Sequence, residues 1–318
     1  MRRLLRAVIG GFVFVVIIIA ALMYLDSGKS GDPSGYQNNT QPNVPGNINS
    51  ADTVSEEDTS QEKAGKGSDT DNTSSSGTQN TNKDNIVLTE TRDAGREYTD
   101  ETLFLGDSNT AMFLKYSDPK GQAYSTKKNT IGIVSMGIEH ISKLRCMSFS
   151  TGLLTMPQAA AVIQPRRIIM MFGTNDLMYG AESASRFAQL YAEKIREIQS
   201  ACPYADIIIN SVLPATSDTY FSNAAIDTIR EFNRQFLKMC TDNGWKFLYS
   251  FEAFTDSSGC GDPELFQADG LHLNAAGVET MFGYIRSHAL LTEDRRTMPL
   301  DPVPEIYGPV VDLIAPMP

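Results

Sequence analysis

The sequence predicts an α/β domain built on a mainly five-stranded parallel sheet with helices on both faces. Three observations carry that expectation. From about residue 87 strand and helix patterns alternate, the strand candidates are continuous apolar runs, and the polar clusters that could do chemistry fall just after strands. Continuous apolar strands are buried on both faces, which requires crossover helices above and below the sheet. Ligands in such sheets bind beyond the carboxyl ends of the strands.

The elements follow in order. TLFLG (102–106) reads as a short buried strand, with a helical stretch after it to about Tyr116. NTIGIVS (129–135) is a second strand, followed by the helix-compatible GIEHISKLRC (137–146). MPQAAAVIQ (156–164) is a short helix that Pro165 stops, and RRIIMMFG (166–173) is a strongly apolar strand. Between Ala181 and Ala201, Phe187, Leu190, Tyr191, Ile195 and Ile198 recur at helical spacing. DIIINSVLP (206–214) is the clearest buried strand. Ala224 to Thr241 is amphipathic, with Ile226, Ile229, Phe236 and Cys240 on one face. WKFLYS (245–250) supplies a fifth strand and Ala275 to Leu290 a closing helix. The proline-rich tail, 292–318, shows neither helix nor strand pattern and is expected to pack loosely on a domain spanning 87–291.

Upstream, the chain opens with Arg2, Arg3 and Arg6, then runs from Ala7 to Leu25 without a charge. Those residues span about 28 Å as a helix, roughly the hydrocarbon thickness of a bilayer. Residues 1–26 are therefore expected to be a basic cytoplasmic end and a transmembrane signal-anchor, with everything after Asp26 outside. A cleavable signal peptide is the rival, and either reading implies export. Residues 27–86 are rich in Ser, Thr, Asn, Gly and Asp, a composition that cannot offset its own ordering entropy. They are expected to form a disordered tether.

The net charge is −11, and residues 1–86 carry 7 basic and 10 acidic side chains, so −8 falls on the remainder. An acidic domain without a basic cluster argues against nucleic acid and against docking on anionic lipid. The spacing of Cys146, Cys202, Cys240 and Cys260 matches no zinc pattern, and the sequence leaves open whether they pair.

Gly106-Asp107-Ser108 follows the first strand and Phe172-Gly173-Thr174-Asn175-Asp176 follows the third. Asp269 and His272 sit in ADGLHLN (268–274), a loop before the last helix. The other two histidines, His140 and His288, fall in helical stretches. Taken singly, a serine after a strand is most often a helix cap and an aspartate in a turn a turn former. Together these groups are the set that acyl transfer needs. A serine hydroxyl must lose its proton as it attacks, and imidazole changes charge in the neutral range. Asp269 would fix the imidazole tautomer. The Ser108 backbone N–H and the Asn175 amide would face the oxyanion.

This pattern resembles the SGNH/GDSL hydrolases over about residues 99–290. Gly106-Asp107-Ser108 is similar to their nucleophile block, Gly173-Thr174-Asn175-Asp176 to the G-x-N-D block, and Asp269-Gly270-Leu271-His272 to the D-x-x-H block. The resemblance implies a flavodoxin-like three-layer α/β/α fold and hydrolysis of esters without metal or cofactor. It also implies a glycine N–H donor to the oxyanion after the second strand. Gly137 is favoured, with Gly132 and the backbone near Ser135 as alternatives. Asn109 stands where the name of the family has Leu. Asp176 is expected to order its loop rather than to act directly. No G-x-S-x-G occurs, so the α/β-hydrolase elbow is not the comparison.

The leading expectation is an extracytoplasmic, membrane-anchored serine esterase removing small acyl groups, such as acetyl, from cell-wall or extracellular carbohydrate. O-acyl transfer onto a glycan by the same triad, and a non-catalytic glycan-binding module, are the alternatives.

Overall fold

The computed structural model describes residues 80–219, 221 and 225–310. In chain order the strands are β1 (Thr102–Gly106), β2 (Thr130–Gly132), β3 (Met147–Phe149), β4 (Gly152–Leu154), β5 (Arg167–Met171), β6 (Asp206–Asn210), β7 (Lys246–Leu248) and β8 (Ile306–Pro309). The helices are α1 (Gly95–Asp100), α2 (Ser108–Ala111), α3 (Met156–Ile163), α4 (Ala184–Ala201), α5 (Ile226–Asn243) and α6 (Ala275–Ser287). Five strands form a parallel sheet in the order β2-β1-β5-β6-β7, as the apolar runs predict.

Successive strand residues face opposite sides, so one apolar run feeds two cores. Leu103, Leu105, Ile168, Met170, Ile207 and Ile209 point into a core shared with Phe187, Tyr191, Phe232 and Phe236 of α4 and α5. Phe104, Ile169, Met171 and Ile208 point the other way, onto Val278, Met281, Phe282 and Ile285 of α6. There Phe104, Phe113 and Phe282 meet edge to face, with ring centroids 5.0–5.4 Å apart.

Several local expectations are corrected. The second strand is only Thr130–Gly132, because the chain turns at Ser135 (φ 61°), where Met136 N–H donates to Ile133 O. The helix expected over 137–146 is a single 3₁₀ turn, Ile138–His140, since the chain must soon extend into β3. The strand expected over 206–214 ends at Asn210, where a buried polar set takes over: Asn233 pairs with both backbone groups of Val212, and Ser250 bonds Asn210. The loose tail contains β8, which pairs antiparallel with β3 in a small sheet of order β4-β3-β8. Residues 80–86, expected in the linker, are held to the domain: Asn82 Nδ2 donates to Thr89 O and Ala289 O, and Lys246 Nζ to Lys83 O and Asn85 O.

The anchor expected at 1–26 and the linker up to residue 79 lie outside the described residues. Among the described residues no helix is long and apolar enough to cross a membrane. All four cysteines are free thiols.

Candidate active site

The strand-to-helix break after β1 is tight. A Cβ on Gly106 would lie 2.0 Å from Thr110 Oγ1 and 2.6 Å from Met171 O, so only glycine fits there. Asp107 caps α2, its carboxylate accepting from Asn109 N–H at 3.0 Å, and Ser108 is the first residue of the helix. Ser108 is both a helix-start residue and the residue offered at the carboxyl end of the interior strand β1.

Ser108 Oγ lies 2.8 Å from His272 Nε2, although the two residues are 164 apart in sequence. His272 Nδ1 lies 2.6 Å from Asp269 Oδ2. A proton on Nδ1, donated to the carboxylate, leaves Nε2 as an acceptor for the Ser108 hydroxyl. The other carboxylate oxygen, Asp269 Oδ1, accepts from the backbone N–H groups of Leu271 (2.9 Å) and His272 (3.0 Å). Burial pushes the Asp269 carboxyl up, but the His272 hydrogen bond and charge and those two N–H groups outweigh it, leaving the group below its ordinary value. Asp269 is thus a carboxylate at neutral pH, locked in place on both oxygens.

Asn175 sits in the 3₁₀ segment Thr174–Tyr179 that follows β5, and its Nδ2 donates to Met136 O at 3.3 Å. That joins it to the turn carrying Gly137. Gly137 itself is extended (φ −86°, ψ 155°), and a Cβ there would lie 3.1 Å from Asp176 Oδ1. Gly132, the alternative, is spent on packing: it pairs with Gly106 across the sheet, and a Cβ would lie 2.2 Å from Ala111 N. Of the other histidines, the His140 side chain pairs with neighbouring Glu139 and that of His288 stacks on Tyr284.

Two buried carboxyls lie behind the site. Burial pushes Asp107 up to about 6, with the Asn109 N–H, His272 and Thr174 pulling the other way. Burial also pushes Asp176 up to about 8, reinforced by the Asp107 charge and opposed by the Ile138 N–H. Each keeps one buried oxygen, Oδ2, without a hydrogen-bond partner among the described residues. Asp176 was expected to order its loop, and its contact with the Gly137–Ile138 turn fits that. Sequence reasoning missed that Asp176 feels the Asp107 charge, which follows from β1 and β5 being neighbours in the sheet.

It also missed what holds the His272 loop. Thr219 Oγ1 donates to Asp269 O at 3.0 Å and Thr216 N–H to Gly270 O at 2.9 Å. On the other side the Asn109 amide bonds Leu271 and Leu273. Among the described residues no three His, Cys, Asp or Glu side chains are grouped to hold a metal ion.

Residues 104–279 match the GDSL-like Lipase/Acylhydrolase family. No curated protein matches the chain. Similar solved structures include a GDSL-like lipase from Bacteroides thetaiotaomicron, at 15% identity, covering 61% of this chain and 89% of that one with a TM-score of 0.43. A carbohydrate esterase family 3 protein from Talaromyces cellulolyticus aligns at 16% identity over 58% of this chain and 93% of its own, TM-score 0.41. A variant of an acetyl xylan esterase from Geobacillus stearothermophilus aligns at 14% identity over 60% and 96%, TM-score 0.41.

Proposed function

We propose, from the premise that this chain belongs to the GDSL-like lipase/acylhydrolase family and is a serine hydrolase of ester bonds, that it removes small acyl groups through Ser108, His272 and Asp269. The observation that carries the reading is the unbroken hydrogen-bond line from Ser108 Oγ through the imidazole to Asp269 Oδ2.

In this mechanism Ser108 Oγ attacks the ester carbonyl carbon while its proton passes to His272 Nε2. The imidazolium is stabilised by Asp269, which keeps its negative charge. The carbonyl oxygen becomes an oxyanion facing the N–H of Ser108, the Asn175 amide and the Gly137 N–H. The intermediate collapses, the C–O bond to the alcohol breaks, and His272 returns the proton to the departing oxygen. Water then attacks the acyl-serine with His272 again as base, releasing the acid and restoring Ser108.

For the substrate we propose acetyl or a similar small acyl group on cell-wall or extracellular carbohydrate, with the enzyme anchored outside the cytoplasm. The uncharged run Ala7–Leu25 after three arginines and the polar linker support that placement. The test is hydrolysis of an aryl acetate by the full chain in detergent, beside Ser108→Ala. Turnover that matches the Ser108→Ala background sinks the reading. Acetate release from acetylated glycans, with and without sugar acceptors, then separates hydrolysis from transfer.

A further inference from the structure

Asn109 directly follows the serine and is 5% exposed. Its main-chain N–H donates to Asp107 Oδ1, while its side chain bonds a different part of the chain. The carboxamide spans the base. Asn109 Nδ2 donates to Leu271 O at 3.3 Å, and Leu273 N–H donates to Asn109 Oδ1 at 3.0 Å.

In an extended segment the carbonyl before a residue and the N–H after it point to the same side, where a neighbouring strand would pair with both. A primary amide offers the same donor and acceptor as a peptide group. Asn109 therefore stands in for a strand on one side of His272. The other side has a real partner: Gln267 N–H donates to His272 O at 2.7 Å, and Phe266 pairs with Leu273 as an antiparallel bridge. His272 is held like a central-strand residue, in a loop that has no sheet of its own.

We propose that Asn109 is a positioning residue for the reaction, acting through His272. It lies one peptide bond from Ser108 and clamps both neighbours of His272, so it fixes the distance between the two groups more directly than any packing contact. This rests on the esterase reading above. The side chain is narrowly specified. Gln is one methylene too long, Asp lacks the donor for Leu271 O, and Leu leaves two buried main-chain groups unpaired.

The test is a kinetic cycle on the full chain with an aryl acetate, using Asn109→Leu and Asn109→Asp in the wild-type and His272→Ala backgrounds. Misplacing a reacting group by about 1 Å costs up to about a hundredfold. Asn109→Leu is therefore expected to lower kcat about 10- to 100-fold with KM within about twofold, and Asn109→Asp to fall between it and wild type. In the His272→Ala background the same changes should cost less than about twofold, because their route is already gone. An equal loss in both backgrounds, or an Asn109→Leu enzyme within about twofold of wild type, overturns the proposal. If Asn109→Leu does not fold, the isosteric Asn109→Asp carries the same comparison. A wild type no faster than Ser108→Ala would instead sink the esterase reading itself.

Discussion

Gly270 is pressed against Thr216: with φ at +69°, a Cβ at this position would lie 2.0 Å from Thr216 Oγ1. The contact sits inside the Asp269–His272 loop, on the side away from Asn109. Any side chain at 270 must move the 216–219 segment or the loop itself. Gly270→Ala is expected to lower kcat about tenfold or more and to destabilise the fold by about 1–3 kcal/mol. Turnover and thermal unfolding check it; an alanine variant with wild-type values would mean the loop yields freely.

In the proposed triad Asp269 makes a different kind of contribution, its oxygens organising rather than reacting. Asp269→Asn keeps the shape but presents an amide to Nδ1, favouring the wrong imidazole tautomer. The expected result is a fall in kcat of about ten-thousandfold. Circular dichroism should remain that of the wild type. A loss under tenfold would remove Asp269 from its assigned role.

Asn175 already donates to a carbonyl in the free enzyme and has a second amide hydrogen to spare. If Asn175 faces the oxyanion as proposed, Asn175→Ala should cost about 10²–10³ in kcat with little change in KM, because such a bond matters most in the transition state. A mainly KM effect would point to substrate binding instead.

The pH dependence of stability can be read from Asp176. Its carboxyl is pushed up to about 8 in the folded chain, against an ordinary 3.8. The folded state therefore keeps a proton that the unfolded chain gives up above about pH 4, so stability falls as pH rises from there toward 8 and then levels off. Asp176→Asn removes that ionisation. The variant is expected to melt on the order of 5 °C above wild type at pH 9, with the gap closing toward pH 4. A pH-independent difference would show that Asp176 does not titrate in this range.

Long apolar runs made most of the sheet legible. TLFLG, the Arg167–Met171 part of RRIIMMFG and the Asp206–Asn210 part of DIIINSVLP are strands because burial on both faces favours apolar residues, with Thr102, Arg167 and Asn210 as buried polar exceptions. Helices α4 and α5 were legible from apolar residues recurring at helical spacing, Phe187 to Ile198 and Ile226 to Cys240. The small sheet was not: strands of three or four residues show no period, and β3 (Met147–Phe149) pairs with β8 (Ile306–Pro309), far along the sequence. Residues 80–86 looked like linker because the Asn82 side chain, polar by composition, spends itself on buried carbonyls. At the site, Ser108, Asn175, Asp269 and His272 stood out by lying just past strands or in a short loop, and the structure brings Ser108 and Asp269 each within hydrogen-bond reach of His272. Asn109 did not stand out, since its role exists only once residues 271–273 arrive beside it.

The tail strand β8 gives the C-terminal region a protective duty. Beside β3 it satisfies main-chain groups that would otherwise form an open sheet edge, with β4 on the other flank. An unguarded edge of this kind recruits strands from other molecules. A chain cut before Ile306 is thus expected to self-associate at concentrations where the whole chain stays monodisperse, and light scattering that found no difference would refute it. What reads in the sequence as a trailing remnant is, in the folded chain, the strand that completes a sheet begun some way upstream.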